Sequence, residues 1–195
     1  STPIVTLFPY TTLFRSKNGD NLLHLAAAFS ESKEFCEFLW MKIEELFEDK
    51  EELKKFLFFR LQYGGNALLR SIAHQNENTF YFLFEQVYCK IFSIKEFAYE
   101  SDKNGQNLLH FLARFGSNSM LKFALEKLKN EFLPEDLQKF IKLTNKNGDN
   151  LLLLAAAFSK SKEVCQFLWT KIEELFEDEE ELKAFLLLKG KYGRN

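Results

Sequence analysis

Helix breakers are scarce in this 195-residue chain, which holds three prolines and eight glycines against 23 phenylalanines. Few breakers leave long uninterrupted segments, so the chain reads as mostly helical. So many aromatics exclude a disordered chain, because they need a large packed interior. Cysteine is scarce as well: Cys36, Cys89 and Cys165 are odd in number and widely spaced, with no C-x-x-C pair or Cys/His cluster. That excludes a zinc-ligand pattern and a disulfide framework, and leaves reduced, buried thiols of an intracellular protein as the reading. Charge of one sign is missing too. The net charge is −2, with 46% hydrophobic and 28% charged residues. This is the profile of a soluble folded protein with no global attraction to nucleic acid or anionic membranes. No apolar run approaches the roughly 20 residues of a membrane span. Also absent are a phosphate-binding glycine loop, G-x-S-x-G, H-E-x-x-H and the acidic ladder of a calcium loop.

The amino-terminal segment stands apart. Residues 6–16 read TLFPYTTLFRS, share no periodicity with the rest of the chain, and back-translate to a common short-read sequencing adapter. A signal peptide would need a charged start, a continuous apolar middle and a small-residue cleavage site. Residues 1–16 are therefore expected to be a non-native leader.

The dominant feature is a repeat. KNGDNLLHL from Lys17, YGGNALLRS from Tyr63, KNGQNLLHF from Lys103 and KNGDNLLLL from Lys146 share one theme, and a further copy opens at Tyr192. The glycines Gly19, Gly64, Gly105, Gly148 and Gly193 are spaced by 45, 41, 43 and 45 residues. The expected units are 17–62, 63–102, 103–145 and 146–191, with 192–195 starting a fifth and the array cut at both ends. Units 17–62 and 146–191 differ at 12 of 46 positions, at an offset of 129 residues that spans three repeats. A duplicated three-repeat block explains this; an assembly error that copied one repeat is the alternative.

Each unit predicts three helices, the third short. Asn18-Gly19-Asp20 is turn chemistry and Asn21 a cap for the helix LLHLAAAF. Ser32 is expected to cap a second helix that buries Phe35, Phe38, Leu39, Ile43, Leu46 and Phe47 on one face. Asp49 with Glu52, Ser93 with Glu96 and Asp178 with Glu181 read as capping boxes, and Pro134 sits at a first helical position. Residues unchanged between the duplicated units are the expected core: Trp40 and Trp169, Ile43 and Ile172, Leu46 and Leu175. Charge changes mark exposed sites: Glu31 against Lys160, Glu37 against Gln166, Lys50 against Glu179 and Lys55 against Ala184. The phenylalanines of Phe80–Phe92 read as repeat core. No unit can bury this much apolar surface alone, so the units are expected to stack as an all-α helical repeat solenoid.

The stretch NGDNLLHLAAAFSESKEFCEFLW resembles the ankyrin repeat: a glycine turn, a Leu-His helix start, a Leu-Ala-Ala run and a second helix. The resemblance covers about the first half of each unit. Asn21, Asn66, Asn107 and Asn150 stand where that family has threonine, and Leu22, Ala67, Leu108 and Leu151 where it has proline. The units are about ten residues longer than the usual 33. The extra length follows the second helix, which puts the family's β-hairpin fingers in question. A HEAT-like or other helical array is the alternative, its period being closer to 43.

His24 and His110 occupy the family's Leu-His slot, where imidazole serves local hydrogen bonding; the second and fourth units are read as holding Arg70 and Leu153 there. His74 falls in a polar stretch and is expected to be solvated. The acidic runs 44–52 and 173–181 read as solvated helix junctions. The resemblance implies a non-catalytic, cytoplasmic protein-binding scaffold with no cofactor and no metal, whose partners are other proteins, not nucleic acid or membrane. The expected partner-binding residues are the turn positions Lys17, Asn18, Asp20, Lys103, Asn104, Gln106, Lys146, Asn147 and Asp149. The alternative is a regulatory repeat domain of a larger channel or enzyme.

Overall fold

A computed structural model describes residues 20–30, 32–58, 65–176 and 178–188. The leader 1–16, Lys17, Asn18, Glu31 and the opening 192–195 lie outside the described residues. All regular structure among the described residues is helical. The first unit holds α1 (Leu22–Phe29), α2 (Lys33–Leu46) and α3 (Lys50–Leu57). The second holds α4 (Ala67–Ala73), then α5 (Glu77–Phe82), which runs through a π-helical turn (Leu83–Tyr88) into α6 (Cys89–Ile91), and α7 (Ile94–Tyr99). The third holds α8 (Leu108–Phe115), α9 (Asn118–Glu131) and α10 (Pro134–Ile141). The fourth holds α11 (Leu151–Phe158), α12 (Lys162–Glu173) and α13 (Glu179–Leu186).

Asparagine starts every first helix. Asn21, Asn66, Asn107 and Asn150 are extended, and their side chains accept from the backbone N–H of His24, Leu69, His110 and Leu153. Each such bond satisfies one of the free amides at a helix start. The cap register also corrects one sequence reading. The counterpart of His24 in the second unit is Leu69, not Arg70, which lies one residue further on.

The other starts vary. Ser93 and Glu96 form the expected capping box, and Pro134 opens α10. Asp49 and Asp178 cap α3 and α13, but through the N–H of Glu51 and Glu180, without the reciprocal bond from Glu52 or Glu181. Ser32 makes no cap bond. Its hydroxyl donates instead to the Glu34 carboxylate at 2.7 Å, as Ser161 does to Glu163 at 2.6 Å.

The π turn has a simple origin. Sixteen positions separate the cap Asn76 from Phe92, whereas fifteen separate Ser117 from Phe132 and Ser161 from Phe176. One added residue inside a helix is absorbed by widening a turn. Here the widened turn ends on Tyr88, a fully buried side chain whose hydroxyl donates to the Leu57 carbonyl at 2.9 Å. The second unit is thus tied to the end of α3 in the first.

First helices pack in a row, α1 on α4, α4 on α8 and α8 on α11; second helices do the same, α2 on α5, α5 on α9 and α9 on α12. Alanines at the contacts (Ala27, Ala113 and Ala155 are buried) allow close approach. Phe80 and Phe84 meet Phe123 of α9 with ring centroids 6.0 and 5.3 Å apart, mostly edge-on, a favourable aromatic geometry. Phe80, Phe82, Phe84 and Phe92 are core, as the sequence predicts. Ile43 and Ile172 are core as well. Leu46 is exposed and Leu175 only half-buried: Leu46 is the last residue of α2, and Leu175 lies two residues past the end of α12. Trp40 is buried but Trp169 is not, and Phe35 and Phe38 are exposed.

Tyr88→Phe removes one hydroxyl and with it the buried bond to the Leu57 carbonyl. We expect a loss of about 1–2 kcal/mol in urea unfolding. Tyr81→Phe, whose hydroxyl reaches the half-buried Glu77 at 3.4 Å, is expected to change stability by less than about 0.5 kcal/mol.

Candidate interaction surface

Two turns carry most of the candidate residues, and they are built alike. Asp102 Oδ1 accepts from the N–H of Asn104 and of Gln106, both at 2.8 Å. Asn145 Oδ1 accepts from Asn147 at 2.8 Å and Asp149 at 3.0 Å. Gly105 and Gly148 take φ of +73° and +78°, the left-handed region that the turn requires. A Cβ on Gly105 would also meet Lys146 Cγ at 3.0 Å and its backbone nitrogen at 3.1 Å. The turns are linked: Lys146 N–H donates to the Asn104 carbonyl at 2.9 Å, and its Nζ donates to the Lys103 carbonyl at 2.9 Å. These bonds, not strand pairing, join the two turns.

The candidate positions divide by exposure. Lys103 and Lys146 are exposed, and Asn104 and Asn147 are half-buried. Asp20, Gln106 and Asp149 are buried, which corrects their reading as surface contacts. Each immediately precedes a capping asparagine and turns inward to a neighbour. Asp20 accepts from Arg70 of the second unit at 3.3 Å, Gln106 faces Arg114 at 3.5 Å, and Asp149 accepts from Asn145 at 3.1 Å. The turn organisers Asp102 and Asn145 were missed in the sequence. Their signal is an Asp or Asn directly before Lys-Asn-Gly, the setting for an Asx turn.

The opposite ends of the first helices form a groove of about 270 Å³, lined by Ala73, His74, Gln75, Arg114, Phe115, Phe158 and Lys160. The Arg114 guanidinium lies over the rings of Phe115 and Phe158, with centroids 4.7 and 4.2 Å away. Such placement holds a cation flat against aromatic faces. Gln75 closes the near wall, its amide donating to the Phe115 carbonyl at 3.0 Å. Burial, and after it the nearby positive charge of Arg70, lowers the His74 pKa. The groove therefore offers two cations, Arg114 and Lys160, beside apolar rings. Sequence reading missed it, because its walls come from three units. Its one signal is Arg114, which stands where the other units have Ala28, Ala73 and Ala157.

His24 and His110 are buried and serve the caps. Asn107 Oδ1 accepts from the His110 N–H at 3.1 Å, and His110 Nδ1 lies 3.3 Å from the Asn107 backbone nitrogen and 2.7 Å from Asn107 Oδ1. This is a capping box with imidazole in the usual glutamate position. Burial pushes His110 down to about 4, with partial offset from the Leu143 backbone and from Asp149 of the next turn. Among the described residues no group of three or more His, Cys, Asp or Glu could hold a metal ion. Among them no helix is long and apolar enough to cross a membrane.

No protein-family model and no curated protein matches this chain. A solved structure does: a chain from the Bd0816 predatory endopeptidase of Bdellovibrio bacteriovorus in complex with the immunity protein Bd3460. The TM-score is 0.55 at 18% identity, over 93% of this chain and 73% of that one. At that level the two share a fold. The likeness extends over nearly the whole chain, so the helical arrangement is not peculiar to this sequence.

His110 gives a signed pH prediction. The unfolded histidine titrates near its ordinary 6.5 and the folded one near 4. Between these values the unfolded chain holds the extra proton, so this contribution is full above pH 6.5 and is lost as pH falls toward 4. The loss approaches about 3 kcal/mol. His110→Leu, the residue type of Leu69 and Leu153 in this slot, should flatten the difference between unfolding at pH 7 and pH 4.5. Equal pH dependence in both proteins would contradict the assignment.

Proposed function

We propose that this chain is a divergent ankyrin-type repeat solenoid that works as a cytoplasmic, non-catalytic protein-binding scaffold. Repeated capped helices stacked unit on unit support the repeat reading. The origin of the similar fold in a complex between two proteins supports the binding reading. The observation that carries the proposal is the groove around Arg114. It spans successive units, holds two cations beside aromatic rings, and breaks the alanine pattern of the repeat at one position. Such a site suits a partner segment that brings a carboxylate flanked by apolar side chains, since charge-assisted hydrogen bonds are the strong ones. Lys103 and Lys146 on the opposite edge extend the cationic character without a pocket.

Selection of random displayed peptides on the purified full chain tests this. Enriched peptides are expected to carry Asp or Glu beside an apolar residue. Arg114→Ala should weaken them by about tenfold, the worth of one charge-assisted bond, without changing the melting temperature by more than a few degrees. Alanine already fills this slot in the other units, and the melting temperature checks that losing the Gln106 and ring contacts has not unfolded the variant. Lys103→Ala with Lys146→Ala should leave the same peptides bound. Enrichment without acidic bias, or equal binding to Arg114→Ala, would count against the groove as the binding site.

A further inference from the structure

The duplicated units allow a comparison that a single repeat does not. Units 17–62 and 146–191 are near-identical, yet they have different neighbours: the first is followed by the second unit, the fourth is preceded by the third. Side chains buried in one are open in the other. Trp40 is 5% exposed and Trp169 44%. Ala27 is buried and Ala156 exposed; Cys36, Leu53 and Leu57 are buried, and Cys165, Leu182 and Leu186 are half-buried. The opposite face is reversed. Leu151, Val164 and Leu168 are buried on the third unit, whereas Leu22 and Phe35 are exposed and Leu39 half-buried. Each unit therefore has two distinct mating faces, and burial is decided by which neighbour is there.

In the first unit that face is covered by the second. Thr79 of α5 meets Cys36, Sγ to Oγ1 at 3.8 Å. Asn76 Nδ2 donates to the Ser30 carbonyl at 2.6 Å. Arg70 reaches Asp20, and Tyr88 reaches the Leu57 carbonyl. Every one of these receiving positions recurs unchanged in the fourth unit, as Cys165, Ser159, Asp149 and Leu186.

We propose that the open face of the fourth unit, centred on Trp169 and Cys165, docks a helical unit of the second unit's kind, with its Asn76, Thr79, Phe80 and Tyr88 chemistry. The sequence carries an independent sign. Tyr192, Gly193 and Asn195 repeat Tyr63, Gly64 and Asn66 at the same 129-residue offset that relates the two duplicated units. A second copy of this chain is a poorer occupant. Its exposed end presents Phe35 and Leu22, the face whose counterpart in the fourth unit sits on the third. The face thus selects by unit type, and not by apolarity alone.

The proposal rests on the stacked-repeat reading, and the test separates the two. The full chain is extended after Lys191 with a second copy of residues 63–102, and alkylation of Cys165 and Cys36 is followed by peptide mass. In the unextended chain Cys36 should react far more slowly than Cys165. In the extended chain Cys165 should slow by about tenfold or more, toward the Cys36 rate. A Phe80→Asp change in the appended copy alone should restore the fast rate at Cys165 and leave Cys36 protected. Fast Cys36 in the unextended chain overturns the stacked reading. Unchanged Cys165 beside a slow Cys36 overturns this proposal alone, whether or not the added segment gains helicity. Equal protection by an appended copy of residues 103–145 overturns the selectivity for unit type.

Discussion

The contact on which the rest depends is the one between a first helix and the first helix of the next unit, with the matching contact between second helices. A short helix such as LLHLAAAF has alanine and leucine on several sides, and a lone helix of eight residues is marginal in water. It becomes stable when the second helix of its own unit and the first helix of a neighbouring unit pack against it. Alanines let the backbones come close, and the longer second helices then fill the space behind with phenylalanine. Dispersion and the loss of water from apolar surface supply the gain, and it is shared between units rather than owned by one.

Polar groups set the register of that contact. The four capping asparagines start the four first helices at equivalent points. Asp102 and Asn145 fold the preceding turns so that Lys146 can bond to Asn104 across the unit boundary. His110 and His24 complete the caps, and burial keeps His110 neutral. None of these groups is free to do chemistry elsewhere, which is why Asp20, Gln106 and Asp149 became struts and not contacts. The turn lysines and Arg114 belong to this scheme in part: Lys146 bonds the Lys103 carbonyl and Arg114 faces Gln106, while Lys103 and Lys160 are exposed.

Much of the fold was legible in the sequence because it is local. Glycine spacing, the asparagine before each Leu-rich helix, the Ser93–Glu96 box and Pro134 fix helix starts within a few residues, and the structure has them. What was not legible depends on neighbours. Trp40 and Trp169 are the same residue in near-identical surroundings of sequence, yet one is core and the other is not. Phe35 reads as core by periodicity and is exposed because no described unit lies on that side. The groove escaped for a similar reason. Its walls come from residues about forty positions apart, and only the Arg114 break in an alanine column marked it.

The most direct measurement is the fluorescence of the two tryptophans taken one at a time, in Trp169→Phe and Trp40→Phe proteins. If neighbouring units decide burial, Trp40 emits at short wavelength and resists acrylamide quenching, while Trp169 emits at longer wavelength and is readily quenched. Matching emission and quenching for the two would contradict the account, because near-identical units would then be burying the same residue without the help of a neighbour.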